Sequence, residues 1–303
     1  MKKRLLILFL ILLTAQTVSA QQHRGYSFNV RTDKNGTLNF YCINERNLTY
    51  TVRVDLSNYS NYTLSCSLPY VGEAKAGTTF LFKLTPVMPS ARPVYNMTTN
   101  VKLGKYIENP DTSYIYILPL KPGKKINVFK NFLAEYWFYN RTRDTVFAVR
   151  SGTIGYAIDN NKENNIGRDN NTIFIEHSDG TIMSYRMLGN LLVKQGQRIK
   201  AGEPIALIGK KVEADNTPEN DNSYCVKLRL MYNAVKLPEV VIGTIKYDAD
   251  NKTSTLPVKF LTEEAGEVFF TGRASVTAVY PEELLIKEMT KSELKKYKKI
   301  TSN

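Results

Sequence analysis

The sequence predicts an all-β protein: an antiparallel β-sandwich-like domain over residues 21–112, a denser β-sheet domain over 113–236, and a small β-rich extension over 237–303 that ends in a basic helix. Three observations predict it. Short runs rich in Tyr, Phe, Val and Thr recur at strand length, Gly, Asn, Asp and Pro punctuate them, and helical periodicity is absent until the last residues.

The chain opens with "MKKRLLILFLILLTAQTVSA", in which Lys2, Lys3 and Arg4 precede an apolar run and small residues stand at Ser19 and Ala20. This reads as a secretory signal peptide over 1–20. The run is shorter than the about 20 residues that span a bilayer, and no later run is as long or as apolar. The expectation is an exported protein, secreted or periplasmic in a bacterial envelope, with no transmembrane segment after signal cleavage. Net charge is +13, and losing Lys2, Lys3 and Arg4 leaves +10. Such an excess favours anionic surroundings. Export points to an envelope polymer and argues against nucleic acid.

In residues 26–101 the runs "YSFNV", "LNFYCI", "LTYTVRVDL", "YTLSCSL" and "TFLFKL" are strand candidates, with Asn35-Gly36 as a hairpin turn at which both residues tolerate positive φ. Cys42 and Cys66 lie on two of these runs, so a disulfide and two buried thiols both remain open. From Val146 the pattern tightens into "VFAVRSGTIGYAI", "NTIFIEH", "TIMSYRML", "LLVKQGQRIKAGEPIALIG" and "SYCVKLRLMYN", with turn signals at Gly152, Gly180, Gly196 and Gly202. Polar loops separate them at 159–171 and 210–223. The tail holds one or two hairpins, then Thr290 and Glu293 as a capping box for a lysine-rich helix.

The block from Val146 to Gly209 resembles the lysostaphin-like (LytM-type) zinc metalloendopeptidases, which cut peptide cross-links in bacterial cell walls. The strand V-x-A-x-x-x-G-x-V, the Gly180 turn, the Tyr185-x-x-Leu188 strand and the glycine-spaced hairpin over 193–209 stand in that family's order, and the resemblance extends over about 113–235. A biotinyl or lipoyl carrier uses a similar hairpin, but no lysine-bearing "Met-Lys-Met" turn is present. The resemblance implies that zinc is held by a His and an Asp four residues apart and by the second His of a His-x-His strand. The first His of that strand and the His of Tyr-x-His-Leu would assist the attacking water. It also implies a histidine at the place of His177 that binds no metal.

The chain departs from that pattern at every chemical position. Counting back from Val146 places the His/Asp pair near Leu133 and Trp137, where no histidine exists. Met187 stands for the assisting histidine, and Cys225-Val226-Lys227 for His-x-His. Bound zinc lowers the pKa of water from about 15.7 to about 7, and an ammonium repels the dication that does so. Glu135, Asp144 and Cys225 are the only candidates for a rebuilt metal site, each otherwise a surface carboxylate or a strand cysteine. A Cys225 nucleophile would need a base, and His177 belongs to a different strand end. The sequence therefore predicts no catalytic residue and no cofactor, with zinc only if nonstandard ligands hold it. What remains is a degenerate site or groove lined by Trp137, Tyr185, Arg186, Met187, Cys225, Lys227 and Arg229.

The function these expectations describe is a pseudo-peptidase that binds peptidoglycan or another anionic envelope polymer, or regulates a partner cell-wall hydrolase. An active zinc endopeptidase with nonstandard ligands and a structural or adhesive envelope protein are the alternatives.

Overall fold

The computed structural model describes residues 25–88, 93–159, 171–210, 224–234 and 254–301. The signal-peptide expectation and most of the two polar loops lie outside the described residues. The chain forms two compact units, one of residues 1–46 and 52–100, the other of 47–51 and 101–303.

In the first unit β1 (Tyr26–Thr32), β2 (Leu38–Asn44), β4 (Tyr62–Leu64) and β6 (Gly77–Pro86) form a sheet in the order β1-β2-β6-β4. A second sheet joins β5 (Tyr70–Ala74), β3 (Tyr50–Ser57) and β7 (Asn96–Leu103), in the order β5-β3-β7. Strand β2 alternates strictly, burying Leu38, Phe40 and Cys42, as a half-buried strand must. Phe40 stacks on Phe82 with ring centroids 4.6 Å apart, and Tyr70 of the other sheet reaches Phe82 at 5.4 Å. The expected Asn35-Gly36 turn is present, but only Gly36 has positive φ, at 79°. Asp33 does the rest: its carboxylate accepts the amides of Asn35 and Thr37, each at 2.9 Å. Cys42 and Cys66 are free thiols.

In the second unit, β8 (Ile115–Tyr116) leads into β9 (Lys125–Lys130), β10 (Tyr136–Asn140), β11 (Thr145–Phe147), β12 (Gly152–Ile158), β13 (Asn171–Glu176), β14 (Ile182–Leu191), β15 (Arg198–Ile199), β16 (Pro204–Lys210) and β17 (Tyr224–Tyr232). After these come β18 (Ser254–Leu256), β19 (Lys259–Thr262), β20 (Gly266–Phe269), β21 (Arg273–Thr277), α1 (Glu282–Ile286) and α2 (Lys291–Thr301). Eleven strands make one sheet, β15-β12-β13-β14-β16-β17-β10-β9-β21, with β11 on β16, β18 on β17 and a further β14–β17 pairing. Its strands pair antiparallel, whereas β8 joins β19 in parallel in a small β20-β19-β8 sheet.

One face of the large sheet is apolar. Tyr136 and Phe138 on β10, Val226 and Leu228 on β17, and Tyr185 on β14 are fully buried there, and Phe260 of β19 packs on both β10 rings. Gly180, Gly196 and Gly202 turn the chain with φ of 87°, 82° and 79°. Gly152 is a different case, since it opens β12 rather than a turn. A Cβ there would lie 2.5 Å from the Glu176 carbonyl oxygen, so glycine is required by close approach. The capping box at α2 forms in both directions: Thr290 N–H donates to Glu293 Oε2 (2.7 Å) and Glu293 N–H to Thr290 Oγ1 (3.2 Å).

Candidate functional site

Residues directly opposite one another on adjacent strands share a sheet face, and the register of five strands sets out one row on the other face of the sheet. Arg273 on β21 pairs with Phe129 on β9, Phe129 with Trp137 on β10, Trp137 with Lys227 on β17, and Lys227 with Arg186 on β14. Two aromatic rings stand at its middle, with cations on either side of them. The Lys227 ammonium sits 3.7 Å from the Trp137 ring centroid, Trp137 meets Phe129 edge-on at 6.1 Å, and the Arg273 guanidinium lies 5.9 Å from the Phe129 centroid.

Beside this row stands Glu135, buried at 4% exposure, where the sequence suggests a surface carboxylate. A tight turn holds it. Asn131 Oδ1 accepts the amides of Leu133 and Glu135 at 3.0 Å each, and the Asn131 amide donates to the Glu135 carbonyl at 3.0 Å. Three donors and one further cation surround its carboxylate. Trp137 Nε1–H donates to Oε2 at 2.8 Å, Asn131 Nδ2 reaches the same oxygen at 3.5 Å, Arg186 Nη2 donates to Oε1, and Arg229 Nη2 lies 3.7 Å from Oε1. Burial, and then the neighbouring Arg229 charge, pushes the Arg186 pKa below its usual value. The turn also carries Phe132 at 95% and Leu133 at 50% exposure.

The structure thus gathers Trp137, Arg186, Lys227 and Arg229 as the sequence suggests, and adds Glu135, Phe129 and Arg273. The alternation of Glu135 and Trp137 against Tyr136 and Phe138 is the one sequence signal that could have found Glu135. Tyr185 does not belong to the groove. It is fully buried on the core face, where its hydroxyl accepts the Val149 amide at 2.9 Å. Consecutive strand residues point to opposite faces, so Tyr185 and Arg186 cannot both line one groove. Met187 is buried with φ 59°, beside a register shift between β13 and β14. Cys225 is buried opposite Tyr139 and Gly209.

His177 is also remote from the row. Its Nδ1–H donates to the Ser151 carbonyl at 2.8 Å, its ring meets Tyr116 edge-on, and its buried Nε2 finds no hydrogen-bond partner among the described residues. Burial pushes its pKa down to about 4, helped by the Arg150 charge. Arg150, with a 4% exposed side chain, binds Asp179 and Glu288 at 2.8 Å each and lies 3.8 Å from the Tyr114 ring centroid. Burial alone would lower the Arg150 pKa, but the hydrogen bond to Glu288 and the surrounding negative charge raise it.

The zinc that the resemblance implies does not fit these donors. It needs imidazole, carboxylate or thiolate ligands with a position open for water, whereas this row offers an ammonium, guanidinium groups and one carboxylate already committed to Trp137 and Arg186, and the Cys225 thiol is buried. Asp144 is engaged with Lys124 and Asn140. Among the described residues no three His, Cys, Asp or Glu side chains gather to hold a metal ion.

Residues 137–228 match the sequence model of peptidase family M23. No curated protein matches the chain. Among solved structures, a protein assigned to peptidase M23 from Pseudomonas aeruginosa is 10% identical, covering 59% of this chain and 82% of its own, with a TM-score of 0.30. A zinc containing peptidase from Vibrio cholerae is 10% identical, covering 67% of this chain and 81% of its own, with a TM-score of 0.25. The likeness to the family therefore rests on the sequence match over residues 137–228.

Proposed function

We propose that this chain, which carries a domain of peptidase family M23 over residues 137–228, is an exported, catalytically inactive member that binds cell-wall material or regulates a partner hydrolase. The observation that carries the reading is the Glu135–Arg186–Arg229 cluster beside the Trp137–Lys227 pair. At the strand where the resemblance places His-x-His, the chain holds a buried cysteine and a ring-stacked ammonium. Positive charge on this face disfavours a bound dication and favours an anion. The chain's net charge of +13 suits the same anionic surroundings. No helix among the described residues is long and apolar enough to cross a membrane, and the basic, apolar start of the chain supports export.

The test is elemental analysis of the purified protein together with digestion and pull-down of isolated cell wall. The expected result is substoichiometric zinc, no release of soluble fragments and retention of the protein on the wall. Stoichiometric zinc with solubilised wall peptides would establish the active-enzyme alternative. Retention abolished by removing residues 287–303 but untouched by substitutions at Arg186, Lys227 and Arg229 would favour the adhesive one.

A further inference from the structure

We propose that Arg186 and Arg229 form a receptor for the free carboxylate of a peptide, with Lys227 beside them. The inference rests on the non-catalytic reading above and names the ligand class of that same face. Charge on this face is unbalanced. Two cations, Arg186 and Arg229, converge on one carboxylate, Glu135, and Lys227 stands opposite Arg186 on the neighbouring strand. Each guanidinium carries five N–H donors, but both arginines aim at the same Glu135 oxygen, and the other oxygen is taken by Trp137 and Asn131. Arg229 Nε is buried without a hydrogen-bond partner among the described residues.

Such a pair has donors and charge left over. The guanidinium of Arg186 is accessible, its side chain being 42% exposed, and that of Arg229 is 27% exposed. Burial and, after it, the Arg229 charge disfavour the charged form of Arg186, so an incoming anion offsets both as well as filling donors. Glu135 shows an anion that this geometry accepts: Arg186 and Arg229 each turn one Nη2 toward a carboxylate oxygen, and a planar carboxylate is the partner that a guanidinium can also take in bidentate fashion. A peptide is favoured over a sugar-phosphate polymer by the apolar residues on the Glu135 turn. Phe132 and Leu133 stand bare on backbone pinned by Asn131, and exposed apolar side chains suit a neighbouring amino-acid side chain.

The experiment is calorimetric titration of the full chain with acetyl-trialanine as the free acid, the same peptide as its C-terminal amide, and polyglycerol phosphate. The expected result is binding of the acid at least tenfold tighter than the amide or the phosphate polymer. Arg186→Ala and Arg229→Ala should each weaken it tenfold or more. Arg186→Lys should weaken it as well, since a point charge cannot replace the fork. Where Arg229→Ala fails to fold, Arg229→Lys with an unchanged Tm takes its place. Equal binding of acid and amide, preference for the phosphate polymer, or wild-type affinity in Arg186→Ala would overturn the receptor. Wall pull-down separates this from the broader reading. Retention of Arg186→Ala on the wall sinks the receptor alone, whereas a wild-type protein that binds the peptide acid but not the wall sinks the wall-binding function alone.

Discussion

The second unit contains two arginine–carboxylate centres with opposite stoichiometry. At one, a single guanidinium, Arg150, is enclosed by two carboxylates, Asp179 and Glu288, and by the rings of Tyr114 and Tyr116. At the other, a single carboxylate, Glu135, is shared by two guanidiniums, Arg186 and Arg229. The first is closed around its cation: the Arg150 side chain is 4% exposed and Glu288 11%, with Asp179 at 29% on its rim. It ties the segment after α1 to the β13–β14 turn, with Ser178 Oγ donating to Glu288 at 2.7 Å. The second is open on the side of its arginines. A buried ion cluster with every partner inside the fold is architecture, whereas one with an excess of one sign and an accessible face is a place for a ligand.

That contrast can be broken most forcefully at the closed centre. Arg150→Met should lower stability by about 3–5 kcal/mol, because Asp179 and Glu288 are left without their cation. Thermal unfolding reads this, and proteolysis after Pro281 should accelerate as the tail loosens. A variant with wild-type Tm would remove the distinction between the two centres.

Acid should act next, through His177. Its folded pKa, about 4, lies below the 6.5 of an unperturbed histidine. The unfolded chain therefore binds the proton first, and stability that is complete above pH 6.5 falls as pH drops toward 4. The loss reaches about 3 kcal/mol by pH 4. Asp179 and Glu288 add to it at lower pH. For both, burial opposes ionisation most strongly, but Arg150 together with hydrogen bonds from Thr181 to Asp179 and from Ser178 to Glu288 outweighs it and holds their pKa values down. Their contribution is present above the unfolded carboxylate pKa and disappears as pH falls through the folded one. Denaturant unfolding at pH 7 and pH 4.5 measures the slope, and His177→Phe should flatten the part between pH 6.5 and 4.

Smaller effects are expected at the open centre. Glu135→Gln should cost about 1–2 kcal/mol, the scale of a lost charged hydrogen bond, while tightening anion binding because the competing carboxylate is gone. Arg186→Lys should change stability by less than about 1 kcal/mol, as exposed ion pairs do, yet weaken binding of the peptide acid. If Glu135→Gln weakens binding instead, Glu135 orders the arginines rather than competing with the ligand.

Much of the frame was legible residue by residue. The alternation of Leu38, Phe40 and Cys42 predicts a half-buried strand, and Thr290 with Glu293 predicts the start of the last helix. These are local signals, and local hydrogen bonds realise them. Trp137, Arg186, Lys227 and Arg229 were legible as a group through the resemblance to lysostaphin-like peptidases. Glu135 was not, since a charged residue beside a turn looks solvent-facing until Trp137, Asn131 and Arg186 are placed around it. Tyr185 was misplaced for a reason the sequence does contain: a residue adjacent to Arg186 on a strand must face the other way. Gly152 was read as a turn because glycine serves both turns and close approaches, and only the Glu176 carbonyl 2.5 Å from its missing Cβ distinguishes them.

The sequence by itself determined that the chain is all-β, that residues 137–228 match the sequence model of peptidase family M23, and that the chain holds only two histidines, His23 and His177. These follow from side-chain period, positive-φ glycines and residue identity, all properties of short stretches. Only the tertiary structure decided that Arg273, Phe129, Trp137, Lys227 and Arg186 form one row, and that Glu135 is its buried counter-charge. Strand register joins residues more than a hundred positions apart, and a one-residue slip would turn each of these side chains to the opposite face.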